Sequence, residues 1–165
     1  MKKSLVASLL ALAMAPLFAQ VTVEDPWVRG TVPQQRATGA FMLLTSEADA
    51  KLVAAESPVA GVVEIHEMAM ENDVMKMREI PGLDLPAGQT MELKPGGYHV
   101  MLMELKEQMV GGAVVPITLI FENSAGERFV QEIEAPVTAL GAARQGMGQP
   151  QQHQHQHQHQ HGHGR

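Results

Sequence analysis

After the first twenty residues the chain reads as short apolar runs of period two. Turn-forming residues break them at spacings of roughly ten residues. VTVEDPWVRG carries Val21, Val23, Trp27 and Val28 around Pro26. GAFMLLTS is a compact apolar run opened by Gly39, and KLVAAES stops at Pro58. In VVEIHEMAM, Val63, Ile65, Glu67 and Ala69 fall on one side of an extended chain, and Glu64, His66, Met68 and Met70 on the other. A helix is the alternative for so short an apolar run. MKMREI follows the turn-like Glu71-Asn72-Asp73, and PGLDLPAGQT reads as loop. MELKPGGYHVMLMEL places a Pro95-Gly96-Gly97 turn before another strand. VVPITLIFEN and ERFVQEIEAPV form a closing hairpin around Asn123–Gly126. No segment sustains a stripe of period 3.6; Lys106–Met109 is long enough only for a turn. The pattern predicts an all-β fold, an antiparallel Greek-key sandwich of the immunoglobulin or cupredoxin kind over residues 20–141.

The two ends depart from this pattern. Lys2 and Lys3 followed by the apolar run Leu5–Ala15 have the form of a secretory signal peptide. Residues 1–19 are expected to be removed after Ala19; a cut after Ala15 is the alternative. A lipoprotein-type anchor would need a cysteine, and the sequence has none. The expectation is an exported protein in the bacterial periplasm, with no membrane insertion once the signal is cleaved. From Ala142 to Arg165 the chain is Gly, Gln, Pro and His, a composition that predicts disorder without metal.

Composition narrows the function. Removing residues 1–19 takes away two of the twelve basic residues, leaving ten against eighteen acidic ones, so the net charge moves from −6 to −8. That balance disfavours nucleic acid as a partner. The absence of cysteine excludes thiol–disulfide exchange, thiolate nucleophiles and blue-copper electron transfer. Methionine is abundant instead: twelve residues, ten of them after position 19.

Six of the eight histidines lie in the tail, leaving His66 and His99 for the folded part. Each opens a unit of the same kind: Met68 and Met70 follow His66 at alternate positions, and Met101 and Met103 follow His99. Met75 and Met77 make a third pair of this period. On a strand, residues two apart share a face at about 6.5–7 Å. If the three segments are neighbours, two imidazoles and at least two thioethers converge. Neutral, soft thioether sulfur suits Cu(I), whereas hard ions take oxygen and zinc rarely takes methionine. Against this, methionines at alternate strand positions are more often core. Met103 is expected to pack; Met70 and Met75 are open.

The spacing is His66, ten residues, Met77, twenty-one residues, His99-x-Met101. With its context, HEMAMENDVMKMREI and LKPGGYHVMLMEL, and with Pro26-Trp27-Val28-Arg29 and Gly39-Ala40-Phe41, this resembles the periplasmic copper chaperones of the PCuAC family. The resemblance implies a cupredoxin-like sandwich. It implies Cu(I) ligands His66, Met77, His99 and Met101, with Met68 at an optional ligand position. It also implies delivery to the copper centre of cytochrome c oxidase subunit II, alongside a Sco-type chaperone. The tail histidines His153, His155, His157, His159, His161 and His163 suit Cu(II), which ranks highest for imidazole among the common divalent ions. A purification tag or a generic metal buffer would read the same way. The function expected is a non-enzymatic copper carrier; a periplasmic copper store acting in resistance is the alternative.

Overall fold

The computed structural model describes residues 20–142. The expectations for residues 1–19 and for the tail histidines lie outside the described residues. Ten strands follow one another with no helix among the described residues: β1 (Val21–Arg29), β2 (Ala37–Ser46), β3 (Ala50–Glu56), β4 (Val62–Glu71), β5 (Val74–Glu79), β6 (Leu83–Leu85), β7 (Thr90–Leu93), β8 (His99–Met103), β9 (Val114–Asn123) and β10 (Arg128–Thr138). The all-β expectation holds.

The strands run in the order β5-β4-β8-β2-β1-β10-β9-β3-β6, with β7 also paired to β2. One group, β5, β4, β8, β2, β7 and β1, carries both histidines and most of the methionines among the described residues. The other, β10, β9, β3 and β6, closes the opposite side. The chain crosses between the groups from β2 to β3 and again from β3 to β4, as a Greek key does. Both groups feed one apolar cluster, which joins Val28, Met42, Leu44 and Leu102 to Leu52, Ile117, Leu119 and Phe121.

Period-two patterning decides which face of each strand enters that cluster. In β9, Val115, Ile117, Leu119 and Phe121 are buried at alternate positions. In β10, charged Arg128, Glu132 and Glu134 point out. β2 is central, and its run from Thr38 to Met42 is buried throughout, as a strand covered on both faces requires.

Three details differ from the sequence expectation. β1 passes through Pro26 as one strand, because a register shift between Glu24 and Trp27 absorbs the proline at a bulge. Asp25 takes φ 48° there. The stretch read as loop contains β6, with Leu83 and Leu85 buried and Asp84 out; three residues are too few for a periodic signal. Finally, β1 and β10 pair in parallel through Val28↔Val137 and Arg29↔Thr138, inside an otherwise antiparallel arrangement. This short pairing joins the two groups, and alternation within single strands carries no information about it.

Candidate metal centre

The β4–β5 hairpin sets the register of the site. Asn72 and Asp73 both adopt positive φ, 51° and 61°, as a two-residue type I′ turn requires. Met68 then lies opposite Met77, and Met70 opposite Met75. On its other side β4 pairs with β8, with His66 directly opposite His99 and Glu64 opposite Met101. One face of three adjacent strands therefore carries His66, Met68, Met77, His99 and Met101. The segments that the sequence left as separate units are neighbours.

Each imidazole has one nitrogen held by an acceptor. His99 Nδ1–H donates to the Gly97 carbonyl at 3.1 Å. A carbonyl cannot donate back, so Nε2 of the neutral ring keeps its lone pair. Met77 Sδ stands 3.1 Å from that Nε2. The Gly97 carbonyl also accepts the Met68 N–H, so one turn residue fixes both the His99 ring and the β4 backbone beside it. His66 Nε2–H donates to Glu64 Oε2 at 2.6 Å, and His66 Nδ1 is buried with no hydrogen-bond partner. The two rings lie 5.7 Å apart, centroid to centroid, in an edge arrangement.

A cleft of about 250 Å³ opens beside them. Met68, Met77, His99 and Met101 line it, with Arg29 and Phe41 among the other walls. His66 is not part of this lining; its ring lies edge-on to that of His99 and is engaged with Glu64. Met77 is 48% exposed, whereas His66 and His99 are buried, so sulfur forms the solvent side of the site and nitrogen the protein side. Met70 and Met75 are exposed, and Met103 is half-buried outside the apolar cluster.

Residues beyond the predicted set shape the cleft. Gly39 lies opposite Met101. A Cβ on Gly39 would stand 2.7 Å from Phe41 Cζ, so glycine lets the Phe41 ring fold over its backbone. That ring lies 6.2 Å from His99, with Trp27 against it at 4.5 Å and the Arg29 guanidinium 5.5 Å from its centroid. Glu64 was legible only as the polar residue two places before His66; a carboxylate there signals nothing until its partner is known. Burial holds the His99 pKa below the ordinary histidine value. The Gly97 hydrogen bond opposes this, and electrostatic repulsion from His66 and Arg29 adds to it. His99 is thus kept neutral and its nitrogen available.

Among the described residues no group of three or more His, Cys, Asp or Glu side chains is arranged for a metal ion. The donors this cleft has are imidazole nitrogen and thioether sulfur, which fit a soft monovalent ion and not a hard divalent one. The buried, unpartnered His66 Nδ1 and the lone-pair donors at 3.1 Å are consistent with such an ion.

Fold and donor face together define a small β-domain of the PCuAC type. The chain belongs to the LpqE-like family, whose model, described as "Putative lipoprotein LpqE-like", matches residues 21–137. It is 33% identical over 106 residues to "Putative lipoprotein Lxx21020" of Leifsonia xyli subsp. xyli, covering 64% of each chain. It spans 64–65% of the length of the curated relatives it matches. Among solved structures, Cu(I)-DR1885 from Deinococcus radiodurans is 34% identical with a TM-score of 0.56, covering 75% of this chain and 83% of that one. The apo PCuAC domain from PmoF1 is 26% identical with a TM-score of 0.57, covering 72% and 93%. Lipoprotein is the description of both the family and the Leifsonia relative, an extracytoplasmic class. The described residues contain no helix long and apolar enough to cross a membrane.

Proposed function

We propose that this protein carries Cu(I) in the periplasm and passes it on. The ligands are His66, Met77, His99 and Met101, with Met68 in reserve beside Met77. The observation that carries the proposal is the approach of Met77 Sδ to His99 Nε2, 3.1 Å apart in a cleft that Met68 and Met101 also line. Two lone-pair donors gain nothing from facing each other; a shared cation turns that contact favourable. The solved Cu(I) form of the 34% identical DR1885 supports copper as the cargo. Binding engages Met77, the exposed donor, and the buried imidazoles from opposite sides. His66 joins with a free nitrogen while Glu64 holds the other.

Transfer suits this set because thioethers are weak, neutral ligands and can be exchanged one at a time by an acceptor that reaches the exposed Met77. The acceptor proposed is the copper centre of cytochrome c oxidase subunit II, with a Sco-type thiol chaperone acting beside it. The tail histidines, from His153 to His163, are proposed to gather Cu(II).

X-ray absorption on the chain loaded with one equivalent of Cu(I) tests the ligands. A mixed sulfur and nitrogen shell is expected; an all-nitrogen shell would remove the folded site from the proposal. Mixing the loaded chain with metal-free subunit II tests delivery, read by the absorption of the assembled copper centre. A copper store is favoured instead if the chain binds several Cu(I) ions at graded affinities and releases none to that acceptor.

A further inference from the structure

Met70 and Met75, the hairpin methionines left over from the ligand set, are not core residues. Met70 is 65% exposed and Met75 46% exposed, and neither joins the apolar cluster that Met42 and Met109 enter. They are directly opposite each other across the β4–β5 hairpin. Facing positions on paired strands put Cβ atoms about 4.5–5.5 Å apart, which two flexible thioether arms span with an ion between them. The pair is also in phase with Met68 and Met77: positions 68 and 70, and 75 and 77, alternate with Ala69 and Lys76. Both pairs therefore lie on one face, one step of about 6.5–7 Å apart along the strands. The hairpin is a ladder of two methionine rungs, the inner one lining the cleft and the outer one in solvent near the Asn72-Asp73 turn.

We infer that Met70 and Met75 form an outer thioether site for a soft monovalent ion, an entry and exit station for the cleft. The inference rests on the copper-carrier proposal above. Cu(I) tolerates low coordination, so two thioethers hold it loosely while the four-donor cleft holds it tightly. An ion on the outer rung moves inward by exchanging Met70 or Met75 for Met77, ligand for ligand, with no change of oxidation state and no proton released. Exposure, costly for an apolar side chain and useless to packing, is what such a station needs.

Titration of the full chain with Ag(I), a redox-inert stand-in for Cu(I), tests this through the NMR signals of 13C-labelled methionine methyls. These report thioethers alone, so the tail histidines do not confuse the count. The first equivalent is expected to shift the Met77 and Met101 methyls, and the second those of Met70 and Met75. In M70L/M75L the thioether-bound equivalents fall from two to one with the first unchanged. Both positions are exposed, so the fold has little to lose. If Met70 and Met75 stay unmoved at two equivalents, or all four methyls move together within the first, the outer station is overturned. If the first equivalent leaves Met77 and Met101 unmoved, the carrier proposal itself fails, which is a different result.

Discussion

Met42 and Met77 are the same residue in two regions that use it oppositely. Met42 lies in the central strand β2, 2% exposed inside the apolar cluster, and Met109 is buried likewise. Met77 lies on the edge strand β5, where all six residues are exposed, and its sulfur meets a histidine nitrogen. In the interior, the thioether is volume and its sulfur is incidental. On the β5–β4–β8 face, the sulfur is a donor and the volume is incidental. Sulfur-to-carbon replacement and truncation separate the two uses, since the first deletes chemistry at nearly constant volume and the second deletes volume.

The largest effect is expected from Met77→Leu combined with Met101→Leu. Leucine keeps the approximate volume, so unfolding stability should change by less than about 1.5 kcal/mol. Tight Cu(I) binding should be lost altogether in competition against a chromogenic Cu(I) chelator. Retained binding would place the ligands elsewhere. The converse is Met42→Ala, which empties a site walled by buried side chains. It should cost about 2–5 kcal/mol in denaturant unfolding. Its Cu(I) affinity, measured where the variant is folded, should match that of the parent. A variant that lost affinity while folded would show that the two regions are coupled and the division is wrong.

Glu64 sharpens the comparison at the nitrogen side. Acceptors behind a metal-binding histidine fix which nitrogen is free, and removing one lowers affinity about 10–100-fold. Glu64→Ala is expected to fall in that range, and Glu64→Gln, which keeps an acceptor oxygen, to lose less. The 15N shifts of His66 provide the second readout: the parent should show Nε2 protonated, and the alanine variant a mixture of tautomers. A loss of affinity with the tautomer unchanged would count against this role.

The β-rich architecture was legible because alternation is a local property. VVPITLIFEN and ERFVQEIEAPV pair residue for residue around the expected turn, with Gly126 in positive φ and Asn123 Oδ1 accepting the N–H groups of Ala125 and Glu127. The site was legible in part for the same reason. Asn72-Asp73 fixes which methionines face each other, and His-x-Met fixes what shares a face. Which strands are neighbours is not local. β8 reaches β4 only after the chain has made β5, β6 and β7, so the meeting of His66 with His99 depends on the whole topology. The β1–β10 parallel pair and β6 were missed for related reasons, one being nonlocal and the other too short. Glu64 and Gly97 were invisible as orienting groups because a carboxylate and a backbone carbonyl look the same anywhere in a sequence.

The smallest expected effect is on the metal-free protein and concerns protons. His99 is neutral in the fold because burial opposes its charge, with His66 and Arg29 adding repulsion against the partial compensation from Gly97. Its folded pKa is therefore below the value of about 6.5 for the unfolded chain. Between those two values the unfolded state binds more protons than the native state, so stability rises with pH there. The contribution is complete above about pH 6.5 and is lost as pH falls through the window towards the folded pKa. Denaturant midpoints of the metal-free chain should thus drop on acidification from pH 7.5 to 5. His99→Gln should flatten that dependence while leaving the midpoint of the remaining core nearly where it was at pH 7.5. An equal slope in parent and variant would assign the acid sensitivity to other groups. Cu(I) should extend the slope of the parent to lower pH, because a nitrogen held by the metal takes no proton in the native state while the unfolded chain still does.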